Sequence, residues 1–148
     1  MKKNFKIIKV LVLLVAVLGA WFGYREYNRK PANMESMKSD FLTTTATLLG
    51  AFEENEAQAN QQYLDKVVEV EGAVRAINQD EAGLYTVMLG NDGSLSSVRC
   101  SVDGIFSAQA GDLQPGSSVT VRGVCAGFMA DSLLGSDVTL VRCTILKK

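Results

Sequence analysis

No histidine occurs in the 148 residues. Its absence removes the commonest general base, the commonest zinc ligand and the usual titrating group near neutral pH. Triads of the Ser-His-Asp or Cys-His kind are thereby excluded. Cysteine is scarce as well: Cys100, Cys125 and Cys143 are too widely spaced for a CxxC motif and too few for a disulfide framework. They read either as small buried apolar residues or, in an oxidising compartment, as one bridged pair with a thiol left over. The run Glu53-Glu54-Glu56 reads as a solvated helix face. Asp131 and Asp137 flank a loop and Asp92 sits in a hairpin, where isolated carboxylates ordinarily cap backbone groups. Asn91-Asp92 followed by Ser94 is too sparse for a calcium loop. The residues therefore support no enzyme, no metal and no cofactor.

Basic charge is lacking wherever the chain can fold. Residues 1–30 carry seven Lys and Arg against Glu26 alone, whereas residues 31–148 carry eight against fifteen Asp and Glu. An acidic domain works against the phosphate neutralisation on which nucleic-acid affinity rests, so nucleic acid is disfavoured as a partner.

One long apolar run is present. Lys2, Lys3 and Lys6 precede it, and residues 7–24 are broken by Lys9 alone. At a rise of about 1.5 Å per residue such a helix just spans a hydrocarbon core when Lys9 snorkels. The rival reading, a cleaved signal peptide, needs small residues at the end of the core. This chain has Trp21, Phe22 and Tyr24 there, which suit an interfacial belt, and no cysteine follows for a lipoprotein anchor. The lysine-rich flank places residues 1–6 in the cytoplasm, residues 7–24 across the inner membrane of a bacterial-type cell, and the acidic domain outside.

Residues 25–38, with Asn28, Pro31 and Asn33, read as a linker. Residues 39–64 read as an amphipathic helix capped by Ser39 or Asp40. Leu48, Leu49, Phe52, Ala59 and Tyr63 form its core-facing stripe, although Thr43-Thr44-Thr45 is a poor first turn. From Lys66 the period becomes alternating: Val68, Val70, Gly72, Val74 and Ala76 share a face, and Gly72 suggests a bulge or tight bend. Strands follow at 84–89, 95–102, 118–125 and 136–146, with a short helix within 104–116 and a flexible loop over 126–135. The order β-β-β-α-β-β predicts a mainly β, α+β domain at 65–148, a five-stranded OB-type barrel preceded by the helix.

A family resemblance rests on Asn55-Glu56, Ala59, Tyr63-Leu64-Asp65-Lys66, Val70-Glu71-Gly72, Val98-Arg99-Cys100, the run Val119 to Gly127, and Asp137 to Cys143. Residues 40–146 resemble the tRNA-anticodon-binding-like OB-fold family, small membrane-anchored or lipoprotein-like proteins of Bacteroidetes-type bacteria. The resemblance implies an OB barrel with a preceding helix, brings no catalytic residues, and points to nucleic acid only through fold analogy.

OB folds bind oligomers on the second and third strands, and here residues 83–102 offer Tyr85 and Arg99 as the candidate binding face. The reading is a membrane-tethered, non-catalytic binding module for envelope proteins or a small ligand. Binding of single-stranded nucleic acid is the alternative. Were a disulfide to form, the last strand of an OB barrel lies between the third and fourth. A hairpin register with Cys125 near Asp137 would set Cys143 too far from Cys125, which leaves Cys100–Cys143.

Overall fold

The computed structural model describes residues 2–27, 34, 36–131, 133 and 135–147, with side chains from Leu14 onward except those of Glu26 and Lys147. They fall into two units, residues 1–32 and 33–148. In the first, Lys2–Tyr27 forms one helix, α1. Its described side chains are strongly exposed and mostly apolar, among them Leu14, Val15, Leu18 and Phe22, and the Arg25 guanidinium lies 5.7 Å from the Trp21 ring centre. Among the described residues no helix is long and apolar enough to cross a membrane. The side chains of residues 7–13, a large part of the expected span at 7–24, lie outside the described ones, as do those of the basic residues 1–6.

The second unit begins with a correction to the expected helix at 39–64. Phe41–Thr44 is a short strand, β1, followed by two helices, α2 (Thr45–Glu54) and α3 (Glu56–Tyr63). The β-branched run is the physical reason: Thr43 and Thr44 favour extended backbone, and the Thr44 side chain then accepts from the Thr47 N–H as the N-cap of α2. The second break falls at Asn55, whose Oδ1 accepts from the Gln58 N–H and starts α3 afresh. The expected stripe nonetheless packs inward: Leu48, Leu49, Phe52, Ala59 and Tyr63 are all buried.

The barrel consists of β2 (Val67–Gln79), β3 (Tyr85–Leu89), β4 (Ser97–Val102), β5 (Ser118–Asp131) and β6 (Gly135–Lys147). A short 3₁₀ turn, Gly104–Phe106, and α4, Ser107–Gly111, lie between β4 and β5. The strand order β1-β2-β3-β4-β6-β5 is closed by pairing of β2 with β5. This is the five-stranded OB arrangement, with β4 and β6 the parallel pair, and β1 adds a short parallel strand on the outside of β2.

Alternation sets the inside. Val68, Val70, Val74, Val87, Leu89, Val98, Cys100, Val121, Val138 and Leu140 are all essentially inaccessible and form one core with the α2–α3 stripe. Phe52 joins helix to barrel, stacking on Phe128 at 5.2 Å between ring centres and lying 6.0 Å from Tyr63.

Three expectations about the strands change. The bulge of β2 lies between Val74 and Ala76 rather than at Gly72. Gly72 instead permits close approach of α2, because a side chain there would collide with the Thr45 hydroxyl, which donates to the Glu71 carbonyl. The flexible loop expected over 126–135 is mostly strand: β5 runs to Asp131 and pairs with β6 from Gly135. With the hairpin end that far out, Cys125 pairs with Leu140 and Met129 with Asp137.

Outside the barrel, Met34 and Met37 cover Val67, Val124 and Val141. Arg122 holds this segment down, its Nη1 donating to the carbonyls of Met34 (3.2 Å) and Met37 (2.6 Å) and its Nε and Nη2 to Glu69 Oε2. The Asp40 carboxylate accepts the Val67 N–H, while the Asp40 N–H donates to the Val67 carbonyl. Part of the expected linker at 25–38 is thus packed structure.

Candidate functional site

Strand alternation decides what the second and third barrel strands show to solvent. On β3, Val87 and Leu89 point inward, and Tyr85 shares their parity. It packs against the core, and a side chain added at Gly111 would lie 3.1 Å from its hydroxyl. On β4, Val98 and Cys100 point inward, so Arg99 points outward, opposite Met88. Tyr85 and Arg99 therefore lie on opposite faces of the sheet and do not form one binding surface.

Arg99 instead belongs to an outer face built by β3, β4, β6 and the end of β5. Its Nη1 stands 3.6 Å from Asp137 Oδ2, and Asp137 Oδ1 accepts the buried Ser97 hydroxyl at 2.6 Å. Leu95, Met129 and Leu133 are strongly exposed. Met129 is paired with Asp137, Leu133 sits between the paired ends Asp131 and Gly135, and Gly135 fits against Leu95 so closely that a Cβ there would meet its backbone at 2.5 Å. The two hairpin ends are thereby brought side by side. No motif announced this apolar group, and Leu95 lies just ahead of β4 rather than on it.

A polar network holds the β3–β4 hairpin against the helix. Arg75 Nη1 donates to the carbonyls of Ser94 (2.6 Å) and Ser96 (3.4 Å). The Ser96 hydroxyl donates to Glu53 Oε1 (2.9 Å) and accepts the Ser136 N–H. Beside it lies an open groove of ≈ 230 Å³ lined by residues that include Thr45, Leu49, Glu53, Asn91 and Ser94. Asp131, singled out in the sequence, serves the backbone: its Oδ1 accepts the Leu133 N–H. Asp80 and Asp103 do the same for their own turns. Three arginines, Arg75, Arg99 and Arg122, are engaged by protein acceptors rather than left for phosphate.

The three cysteines are free thiols buried in the barrel. Burial raises the Cys143 thiol well above its ordinary pKa, helped by a hydrogen bond with the Cys100 thiol and their mutual repulsion. Burial also raises Cys125, the Gly127 backbone opposes it, and the Asp65 charge adds to it.

Comparison with known proteins agrees with the geometry. A crystal structure from Klebsiella pneumoniae subsp. pneumoniae, of a protein ascribed the role of a nucleic acid-binding lipoprotein, superposes with a TM-score of 0.55. It is 25% identical and aligns over 80% of this chain and 100% of its own. Asparaginyl-tRNA synthetase from Pyrococcus horikoshii shares 18% identity over 58% of this chain and 20% of its own, at a TM-score of 0.39. No curated protein matches the sequence. The tRNA_anti-like family model matches residues 1–145, so the chain belongs to the tRNA_anti-like family and its barrel is an OB-fold binding module.

Proposed function

We propose that this chain is a non-catalytic, membrane-tethered module of the bacterial cell envelope, whose OB barrel faces the extracytoplasmic side and binds a protein partner. One observation carries the choice of partner. On the outer face of β4 and β6 Arg99 stands against Asp137 and the exposed groups around that pair are Leu95, Met129 and Leu133, while Arg142 is an exposed cation further along β6. Exposed apolar side chains gathered at two neighbouring hairpin ends suit protein association, whereas a phosphate backbone needs clustered cations.

The anchor is assigned to residues 7–24, on the lysine-rich flank before them and on the exposed apolar side chains of α1 from Leu14 to Phe22. The lipoprotein character ascribed to the Klebsiella relative supports an envelope location. The nucleic-acid binding ascribed to that same relative supports a second reading, recognition of a single strand.

Crosslinking of the tagged full-length chain in native membranes, alongside the double variant M129D/L133D, separates the two readings. Envelope proteins recovered with the parent chain and lost from the variant are the expected result. Recovery of nucleic acid that disappears at raised salt, equally from both chains, would transfer the assignment to the second reading.

A further inference from the structure

Among the described residues Arg142 is one of two non-glycine residues with positive φ, at 53°, and it lies within a strand. Its conformation marks a bulge. On one side, Cys100 faces Leu140 but Val102 faces Cys143. On the other, Val124 faces Val141 but Arg122 faces Thr144. Two residues of β6, Arg142 and Cys143, thus oppose Gly123 alone. Without the extra residue the alternation that buries Val138 and Leu140 would bury position 142 and turn Cys143 outward. With it Arg142 is exposed and Cys143 fully buried. Bulges commonly re-aim a side chain in this way, and a left-handed non-glycine residue is a strained means of doing so. What the bulge turns Cys143 toward is the parallel β4–β6 seam, where it faces Val102, two residues along β4 from the equally buried Cys100. Gly123 supplies the space: a Cβ there would stand 2.5 Å from Cys143 Sγ.

We propose that the Arg142 bulge positions Cys143 for a disulfide with Cys100, a covalent closure of the barrel seam formed after export, with Cys125 left as a thiol. The inference rests on the extracytoplasmic location proposed above. Two thiols give up two protons and two electrons to the disulfide of a protein thiol oxidant. One cysteine thiolate opens that disulfide to a mixed disulfide. The second then displaces the oxidant as its dithiol, leaving the Cys100–Cys143 S–S bond. Both sulfurs are inaccessible in the closed barrel, so exchange takes place while β6 is still open.

The test is peptide mapping by mass spectrometry, without reductant, of full-length chain alkylated during lysis, with protease shaving of intact spheroplasts to report the side on which the barrel lies. A Cys100–Cys143 linked peptide with alkylated Cys125 is the expected result. The variant C125A keeps that link. In the variant C100A Cys143 is found alkylated, and the melting temperature falls by on the order of 10 °C. Three alkylated thiols in a chain that shaving finds outside overturn the bridge alone. Three alkylated thiols in a chain protected from shaving overturn the location and the bridge together. A link that uses Cys125 overturns the pairing.

Discussion

Cys143 Sγ occupies the space that a side chain on Gly123 would need, 2.5 Å from where a Cβ would stand, with the Val141 carbonyl at 3.1 Å and Leu140 Cβ at 3.3 Å. Backbone crowds the same point, so the collision cannot be relieved by a rotamer change alone. Gly123→Ala is expected to destabilise the reduced chain by about 1–3 kcal/mol in urea unfolding. The loss should shrink in a Cys143→Ala background without vanishing, because the carbonyl contact remains. Equal losses in both backgrounds would show that the sulfur is not the obstacle.

Arg122 and Glu69, each 16% exposed at the side chain, pair across β5 and β2. Arg122→Ala strips a nearly buried carboxylate of this partner and releases the Met34 and Met37 carbonyls. A loss of about 3 kcal/mol is expected, with faster protease cleavage within residues 34–40. Lysine at 122 should not restore protection, since one ammonium cannot reproduce the guanidinium fork.

The Thr144 hydroxyl is fully buried and, among the described residues, has no hydrogen-bond partner. Thr144→Val keeps the shape and removes the unsatisfied group. Denaturation should show the variant more stable by about 1 kcal/mol. A destabilised variant would mean that this oxygen has an acceptor or a water in solution.

With the three thiols reduced, alkali should weaken the fold. Folding raises the pKa of Cys143 and Cys125, so the folded state holds their protons more tightly than the unfolded chain. Their contribution is complete below the unfolded thiol pKa of about 8.5 and is lost as pH rises from there through the folded values. Unfolding free energy measured from pH 7 to 10 should fall above that point, and fall less in C143A. A profile identical in both chains would exclude the thiol as its cause.

Single-stranded oligonucleotides should show no saturable binding by fluorescence anisotropy at physiological salt. Asp137→Asn, which frees Arg99 from its carboxylate, should create weak binding that disappears as salt is raised. Tight binding by the parent chain would support the single-strand reading instead.

Much of the barrel was legible because alternation is a local signal. Val68, Val70 and Val74 announce their face, and the Leu48, Phe52 and Tyr63 spacing announces the helical stripe that seals it. The single long helix was misread where local chemistry wins over periodicity. Thr43 and Thr44 extend into a strand, and Asn55 restarts the helix by capping it. Features that depend on a left-handed non-glycine residue were hidden, because nothing in Arg142 as a residue type signals positive φ. The length of β5 was obscured for a related reason. Gly127 has φ of 143° beside a register shift between Cys125 and Gly127, so the composition there imitates a loop. The pairing of Tyr85 with Arg99 failed on parity, which is set by register between strands and not by proximity in sequence.

The strap at residues 34–40 also sets the order in which mechanical load would enter the domain. Tension arriving along the chain at Met34 reaches Arg122 first, then the two-way link between Asp40 and Val67, and then the β1–β2 ladder. The barrel proper is met only afterwards. A domain so fastened can yield at its outermost contact while its sheet stays closed, so that a pull along the preceding chain would loosen this segment before it reached the barrel.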